Sequence, residues 1–243
     1  MNNYTRNYNY SDSRMETVTR AFPRLMRSVY AWMCAGLLMT GFTALGIAKN
    51  SEMVTAIFSN TILFWGLMIA EIALVIFLTA RIHKMSFPTA ALCFAGYAIL
   101  NGVTMSAIFF IYTLSSIAQT FFICAGTFGA MSLVGLFVKR DLSGIGRILM
   151  MGLIGLIIAT VVNIFVASSG LAMILNYVGV LIFVGLTAYD VQRIKVMLTE
   201  AADVYGTEQL QKLALMGSLT IYLDFINLFL YLLRIFGDRK EGR

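Results

Sequence analysis

The sequence lacks charge over two long stretches. No Asp, Glu, Lys or Arg occurs from Met85 to Val138 or from Ile148 to Tyr189, and charged residues make up only 12% of the 243-residue chain. An ordinary soluble domain carries about 25% charged residues, so this composition excludes a soluble globular domain. A membrane-spanning helix needs about 20 apolar residues, and each uncharged stretch therefore has room for two spans.

Residues for metal or thiol chemistry are also scarce. The chain has one histidine, His83, and three cysteines, Cys34, Cys93 and Cys124, which all lie inside apolar runs. A His-ligated zinc site would need more ligands of the right type. We interpret the cysteines as small buried hydrophobic residues and His83 as an interfacial residue without a catalytic role. The sequence therefore predicts that the protein is not an enzyme and needs no cofactor.

Apolar residues, 59% of the chain, gather in seven segments. The segments are 29–48, 57–80, 87–111, 117–138, 148–167, 171–189 and 213–233. We predict an all-α polytopic membrane protein with seven transmembrane helices, six of them around a central seventh. The predicted transmembrane domain covers 28–237. A polar basic tail at 1–27, either interfacial or disordered, precedes it, and a charged tail at 238–243 follows it.

Lys and Arg are unevenly distributed among the connections. The N-terminal tail and the second, fourth and sixth connections are basic, whereas the first, third and fifth hold only Lys49. Cytoplasmic loops of membrane proteins are enriched in Lys and Arg. We therefore predict a cytoplasmic N-terminus in the cell inner membrane. The net charge of +6 reflects this topology and does not indicate nucleic-acid binding.

The C-terminal tail does not fit this distribution. Its basic residues are Arg234, Arg239, Lys240 and Arg243, and seven full crossings would place them outside. Either the last segment does not cross the membrane fully, or the fold overrides the charge rule there. The sequence leaves the side of this tail open.

Two aspartates lie in apolar surroundings. Asp190 closes the segment 171–189, and Asp224 lies in the middle of the segment 213–233. A charged carboxylate in the bilayer core costs roughly 2.5–3.5 kcal/mol on insertion scales, so such residues usually face a protein interior or a water cavity. Two buried carboxyl groups brought together cannot both ionise cheaply, and we predict that this pair shares a proton. The alternative is a satisfied interhelical hydrogen bond without a transport role.

Four further residues are candidates for the same site. Arg81 ends the second segment and could act as a latch on the ionised pair. Glu71, inside the second segment, either lines a pathway or makes a structural hydrogen bond. Asn227 and Tyr231 follow Asp224 at i+3 and i+7 and share its helix face, which indicates a lining role. A paired-aspartate intramembrane protease is a further alternative, but the aspartates lack neighbouring glycine-rich motifs.

Two sequence blocks carry these aspartates: GLTAYDVQRIK at 185–195, and LDFINLF at 223–229 continuing to LRIFG at 233–237. They resemble the two hallmark motifs of the Bax inhibitor-1 (lifeguard, transmembrane Bax inhibitor motif) family, and the seven-segment layout fits that family over 29–237. The resemblance implies a pH-sensitive calcium leak, in which Asp190 and Asp224 share a proton and an arginine is their partner. Arg81 matches that arginine only by its position.

Calcium is accordingly the expected transported ion. A tight calcium site offers six to eight oxygen ligands, and the carboxylates of Asp190, Asp224 and Glu71 are too few for a tight storage site. A weak transit site at the two aspartates is the prediction. The expected partners are the lipid bilayer, calcium and protons, with no nucleic acid. The alternative function is a membrane-embedded regulator that binds other membrane proteins, such as a quality-control protease.

Overall fold

The structure is a computed structural model that describes residues 2–202 and 204–240, with side chains from Phe22 onward. The described chain is almost entirely helical and contains no β-strand. Its α-helices are α1 (Asn2–Ala48), α2 (Ser51–Ser59), α3 (Thr61–Arg81), α4 (Phe87–Met105), α5 (Ile108–Ile111), α6 (Leu114–Phe137), α7 (Ser143–Val166), α8 (Ser169–Ala201) and α9 (Thr207–Phe236). A short 3₁₀ turn, Ile82–Lys84, follows α3.

Seven helical stretches are long and apolar enough to cross a membrane. They are Phe22–Ala48, Thr61–Lys84, Phe87–Ile111, Leu114–Phe137, Ser143–Val166, Ser169–Ala201 and Thr207–Phe236. The predicted all-α class with seven spans is thereby confirmed. One end of the bundle, here called the Lys84 end, holds the connections 82–86 and 138–142 and the described residues 202 and 204–206 between α8 and α9. The other, the Asn50 end, holds 49–60, 111–113 and 167–168.

Two predicted boundaries were wrong. The second segment does not start at 57, because Asn60 separates α2 from α3 and its side chain accepts hydrogen bonds from the first backbone N–H groups of α3. The sixth segment does not end at 189, because α8 continues to Ala201. Val191, Ile194 and Leu198 are buried at helical spacing in this extension.

Helix α1 runs from Asn2 to Ala48 without a break, so the described part of the predicted tail at 1–27 is continuous with the first span. The apolar part of α1 begins at Phe22. The domain boundary at 27 and the interfacial character of the tail stay predictions. The side chains of residues 2–21 lie outside the described set. Met1 and residues 241–243 lie outside it as well.

Helix α9 is the central span. In its most apolar stretch 72% of the residues are buried, against 6–33% in the other six spans. Helices α1, α4, α6 and α8 pack directly on it, whereas α3 packs mainly on α4 and α7 mainly on α8. Tyr222, Leu215 and Leu228 of α9 are fully enclosed. This burial explains how α9 carries polar side chains that lipid would reject.

The C-terminal tail is fastened to the connection between α5 and α6. The backbone N–H of Thr113 donates to Asp238 O (3.1 Å), and that of Lys240 donates to Ile111 O (2.9 Å). The Ser116 hydroxyl donates to the Asp238 carboxylate at 3.1 Å. Helix α9 has 30 residues, or roughly 45 Å at 1.5 Å per residue, which is long enough for a full crossing. The tail lies at the Asn50 end, and the length of α9 favours the alternative in which the last segment crosses and the fold overrides the charge rule.

Candidate functional site

Asp190 of α8 and Asp224 of α9 meet inside the bundle. Both residues are buried, with 7% and 5% of their surfaces exposed, and their carboxyl groups are in hydrogen-bond contact. The Oδ2 atom of Asp224 is enclosed and finds no donor among the described residues. Two ionised carboxylates cannot hydrogen-bond to each other, because both have only acceptor oxygens. A proton held between them would supply the missing donor.

A small cavity lies beside Asp190. It has a volume of about 180 Å³ and lies between α3, α8 and α9. Asp190 and Arg193 are on its wall, together with the hydroxyl-bearing Thr79 and Thr220. The two threonine hydroxyls donate to carbonyl groups of their own helices. The charged groups of this cavity are therefore Asp190 and Arg193.

Arg81 does not join the pair in this structure. It is exposed at the end of α3, and it is not among the charged groups that act on Asp190 or Asp224. The cation beside Asp190 is Arg193, one helical turn later on α8. Although Thr79 of α3 lines the cavity beside Asp190, the Arg81 side chain at the end of the helix is exposed to the surface. His83 is likewise exposed, in the 3₁₀ turn after α3.

Glu71 is buried in a separate polar cluster with hydroxyl-bearing neighbours. The Thr104 hydroxyl donates to Glu71 Oε1 at 2.8 Å. The Tyr222 hydroxyl lies near Glu71 and makes a 2.6 Å hydrogen bond with Thr40 Oγ1. Thr40 also donates to Ala98 O at 2.9 Å. Tyr222 connects this cluster to α9 on the side facing α1 and α4.

Asn227 and Tyr231 do not extend the aspartate site. The Asn227 amide donates to Leu223 O of its own helix at 2.8 Å. The Tyr231 ring stacks on Phe183, with ring centroids 5.8 Å apart. It lines a different cavity, at the Asn50 end. The face shared by the three residues on α9 is therefore divided among different environments.

A large open cleft lies at the Lys84 end. Its volume is about 1050 Å³, and its wall is built from 138–143 and the C-terminal half of α8. Arg193 lines this cleft as well as the cavity beside Asp190. Asp141, at the rim, accepts hydrogen bonds from the Ser143 hydroxyl (2.7 Å) and backbone N–H (2.9 Å). These bonds hold the pKa of the Asp141 carboxyl below its ordinary value.

Side chains of α8 hydrogen-bond to the backbone that forms the opposite wall of this cleft. Lys195 donates to Leu136 O at the end of α6, at 2.7 Å. The Gln192 amide donates to Arg140 O at 2.9 Å and accepts from the Leu142 N–H at 2.8 Å. These contacts satisfy backbone groups that a helix end and a loop leave open. They also explain why α8 continues beyond the predicted boundary.

Comparison with known proteins identifies the family. The sequence model described as "Inhibitor of apoptosis-promoting Bax1" matches residues 23–241. The chain belongs to the Bax inhibitor-1 family. It is 49% identical over 215 residues to the Inner membrane protein YbhL of Escherichia coli K12, covering 88% of this chain and 92% of the relative. It is also 41% identical over 229 residues to the uncharacterized protein RP147 of Rickettsia prowazekii, covering 94% and 95%.

Membership of the Bax inhibitor-1 family makes the chain a multi-pass membrane protein, in agreement with its seven spans. Proteins of this family are not known as enzymes. Within residues 2–202 and 204–240, no three His, Cys, Asp or Glu side chains come together as a metal site. A cation at the aspartate pair would therefore meet two carboxyl groups and neutral oxygens.

The site residues of this Bax inhibitor-1 protein differ in how clearly a sequence pattern marks them. Arg193 was detectable, because it lies three residues after Asp190 and shares its helix face. Thr104 and Tyr222 carry no such signal, since hydroxyl groups are common in membrane helices and bond to backbone carbonyls there. Only the packing of α1, α3, α4 and α9 brings them to Glu71.

Proposed function

We propose that the protein is a pH-gated cation leak of the inner membrane, with calcium as the leading ion. The observation that carries the proposal is the buried contact of Asp190 with Asp224, in which Asp224 Oδ2 has no donor. One bound proton closes the contact with a hydrogen bond. Loss of that proton leaves two like charges side by side in a low dielectric, which separates the helices or attracts a cation.

The surroundings of the pair support a route for ions. Asp190 and Arg193 both line the 180 Å³ cavity, and Arg193 also lines the 1050 Å³ cleft at the Lys84 end. An ionised Asp190 attracts the Arg193 guanidinium, so Arg193 is the proposed latch in place of Arg81. A cation arriving at the pair would compete with this guanidinium for the same carboxylate.

Glu71 is proposed to bind ions along the other half of their path through the bundle. It lies on the opposite side of α9 from the aspartates, among hydroxyl groups of Thr104 and Tyr222. Hydroxyl and carboxylate oxygens are suitable ligands for calcium, but a tight site offers six to eight of them. The few oxygens at each cluster favour brief binding, from which an ion leaves again.

The proposed orientation has the Lys84 end in the cytoplasm. The basic connections 82–84 and 139–147 lie at or near that end, as expected for cytoplasmic loops. The relative from Escherichia coli carries the name Inner membrane protein, which supports the same membrane for this chain. The C-terminal tail would then lie on the outer side, because α9 is long enough for a full crossing.

Calcium flux into proteoliposomes, measured over a pH series, tests the proposal. We expect wild-type flux to rise with pH, because the pair then loses its proton. In Asp224→Asn the amide donates to Asp190 at every pH, so flux should stay low and lose its pH dependence. Glu52→Gln makes the same chemical change at an exposed residue of the Asn50 end and should keep the wild-type curve.

Two results would contradict the leak. One is the absence of calcium flux in correctly inserted wild-type protein. The other is an Asp224→Asn curve with the wild-type shape. In either case the membrane-embedded regulator becomes the leading hypothesis, and an affinity purification should then recover a membrane protein in stoichiometric amount.

A further inference from the structure

A cavity lined by two arginines lies at the Asn50 end. Its volume is about 370 Å³, and it is bordered by α7, α8, α9, the connection after α5 and the C-terminal tail. Its charged residues are Arg234 and Arg239, and the amides of Asn163 and Asn176 face them across the same space. None of the described residues that line it is acidic. Their net charge is therefore positive, which favours an anionic ligand.

Arg234 is positioned by an aromatic ring. Its guanidinium carbon lies 5.3 Å from the centre of the Tyr231 ring, an attractive cation–π arrangement. The ring itself is held between Phe183 and Gly179, where a Cβ atom would come within 2.6 Å of it. The ring takes up one face of the guanidinium and leaves its in-plane N–H donors for another partner.

Arg239 is positioned by the backbone of the tail. It forms an isolated antiparallel β-bridge with Tyr112. The Thr113 N–H to Asp238 O hydrogen bond (3.1 Å) and the Lys240 N–H to Ile111 O hydrogen bond (2.9 Å) fasten the residues on either side. The backbone that carries the Arg239 guanidinium is therefore held beside the cavity by hydrogen bonds on both sides.

The amide of Asn163 is oriented as a donor. Its Oδ1 atom accepts the backbone N–H of Ser168 at 3.2 Å, in the turn where Ala167 adopts a left-handed conformation. The Nδ2 group is thereby left for the cavity. With Arg234, Arg239 and Asn176, the cavity presents several N–H donors and a charge of +2.

These arginines stand at the end of the bundle that is otherwise nearly free of Lys and Arg. We propose that the cavity binds a phosphate group, either the headgroup of an anionic phospholipid or free inorganic phosphate. Planar guanidinium groups match phosphate oxygens in pairs. Ile111 and Ile164, which also line the cavity, are 46% and 68% exposed on the apolar surface, so a lipid can reach the site from the bilayer.

Native mass spectrometry of the full-length protein tests the site. The protein is released from nanodiscs that contain phosphatidylglycerol or phosphatidylcholine. We expect one tightly retained phosphatidylglycerol, and roughly tenfold weaker retention in Arg234→Gln or Arg239→Gln, because each variant removes a charge-assisted hydrogen-bond donor. Lys49→Gln removes the same charge at the same end of the bundle but outside the cavity, and it should retain lipid as the wild type does.

A second measurement distinguishes the source of the phosphate. Inorganic phosphate in a neutral detergent should raise the midpoint of thermal unfolding relative to chloride at equal ionic strength, and Asn176→Asp should abolish this rise by adding a negative charge. Phosphate stabilisation without retained lipid identifies free phosphate as the ligand. The site is refuted if the wild type binds neither phosphate nor phosphatidylglycerol, or if Lys49→Gln weakens binding as much as Arg234→Gln.

Discussion

Tyr222 and Asp224 are two residues apart on α9, and their side chains lie on opposite sides of the helix. The Tyr222 hydroxyl makes a 2.6 Å hydrogen bond with Thr40 of α1, beside the Glu71 cluster. Asp224 contacts Asp190 of α8. Successive helix positions are about 100° apart, so two neighbours at this spacing point in nearly opposite directions. The central helix thus separates two buried acidic clusters at nearly the same depth.

Tyr222→Phe should destabilise the α1 side without changing the aspartate pair. The variant removes the hydrogen bond to Thr40, at a cost of roughly 0.5–1.5 kcal/mol in the free energy of unfolding. The Thr40 hydroxyl keeps its carbonyl acceptors, so the loss should stay within that range. Thermal unfolding measures it, and Tyr177→Phe, at an exposed position, is the matched control. A change in the pH dependence of calcium flux would contradict the separation of the two clusters.

Arg193→Gln should change the pH response of the proposed leak more than Arg81→Gln. Arg193 lies one helical turn after Asp190 and lines the same cavity. Its positive charge favours an ionised carboxylate beside it, so without it the midpoint of flux against pH should move upward. Arg81→Gln should leave the midpoint unchanged. The reverse order would show that Arg81 approaches the pair in the working protein.

Gly135→Ala should separate α6 from α8 close to the aspartate site. An added Cβ atom would collide with the backbone oxygen of Ala188, which a side-chain rotation cannot relieve. We expect a loss of roughly 1–3 kcal/mol in the free energy of unfolding. Gly129→Ala on the same helix meets open space and should be neutral or stabilising by up to about 1 kcal/mol. Equal unfolding midpoints for the two variants would contradict the close packing of α6 on α8.

Asp141→Ala should show a pH-dependent defect at the start of α7. The pKa of Asp141 is lowered by its hydrogen bonds with Ser143, so folding favours the ionised carboxylate. The stabilisation from the ionised Asp141 carboxylate is fully present above the ordinary carboxyl pKa of 3.8. It is lost as pH falls through the lower pKa of the folded state. The unfolding midpoints of variant and wild type should differ at neutral pH and converge in acid. A difference that is constant with pH would contradict this account.

Hydropathy predicted the class, the seven spans and the isolated aspartates, because partition into a membrane depends on local composition. It failed where helices continue outside the apolar core. The extension of α8 to Ala201 is held by Lys195 and Gln192, whose carbonyl partners lie more than fifty residues earlier in the sequence. Such contacts are invisible to a local pattern.

The sequence by itself determined that Asp190 and Asp224 need shelter from lipid, since the cost of a bilayer carboxylate belongs to the residue. The tertiary structure alone decided which groups surround each of them. The packing of α8 against α9 brings the aspartates together, and the exposed side chain of Arg81 at the end of α3 stays apart from them. The tail lies at the Asn50 end despite its charge, because hydrogen bonds to Ile111, Thr113 and Ser116 fasten it there. Counting Lys and Arg gives the number of basic residues on each connection. It does not show which groups those residues contact, and these contacts are decided by the fold.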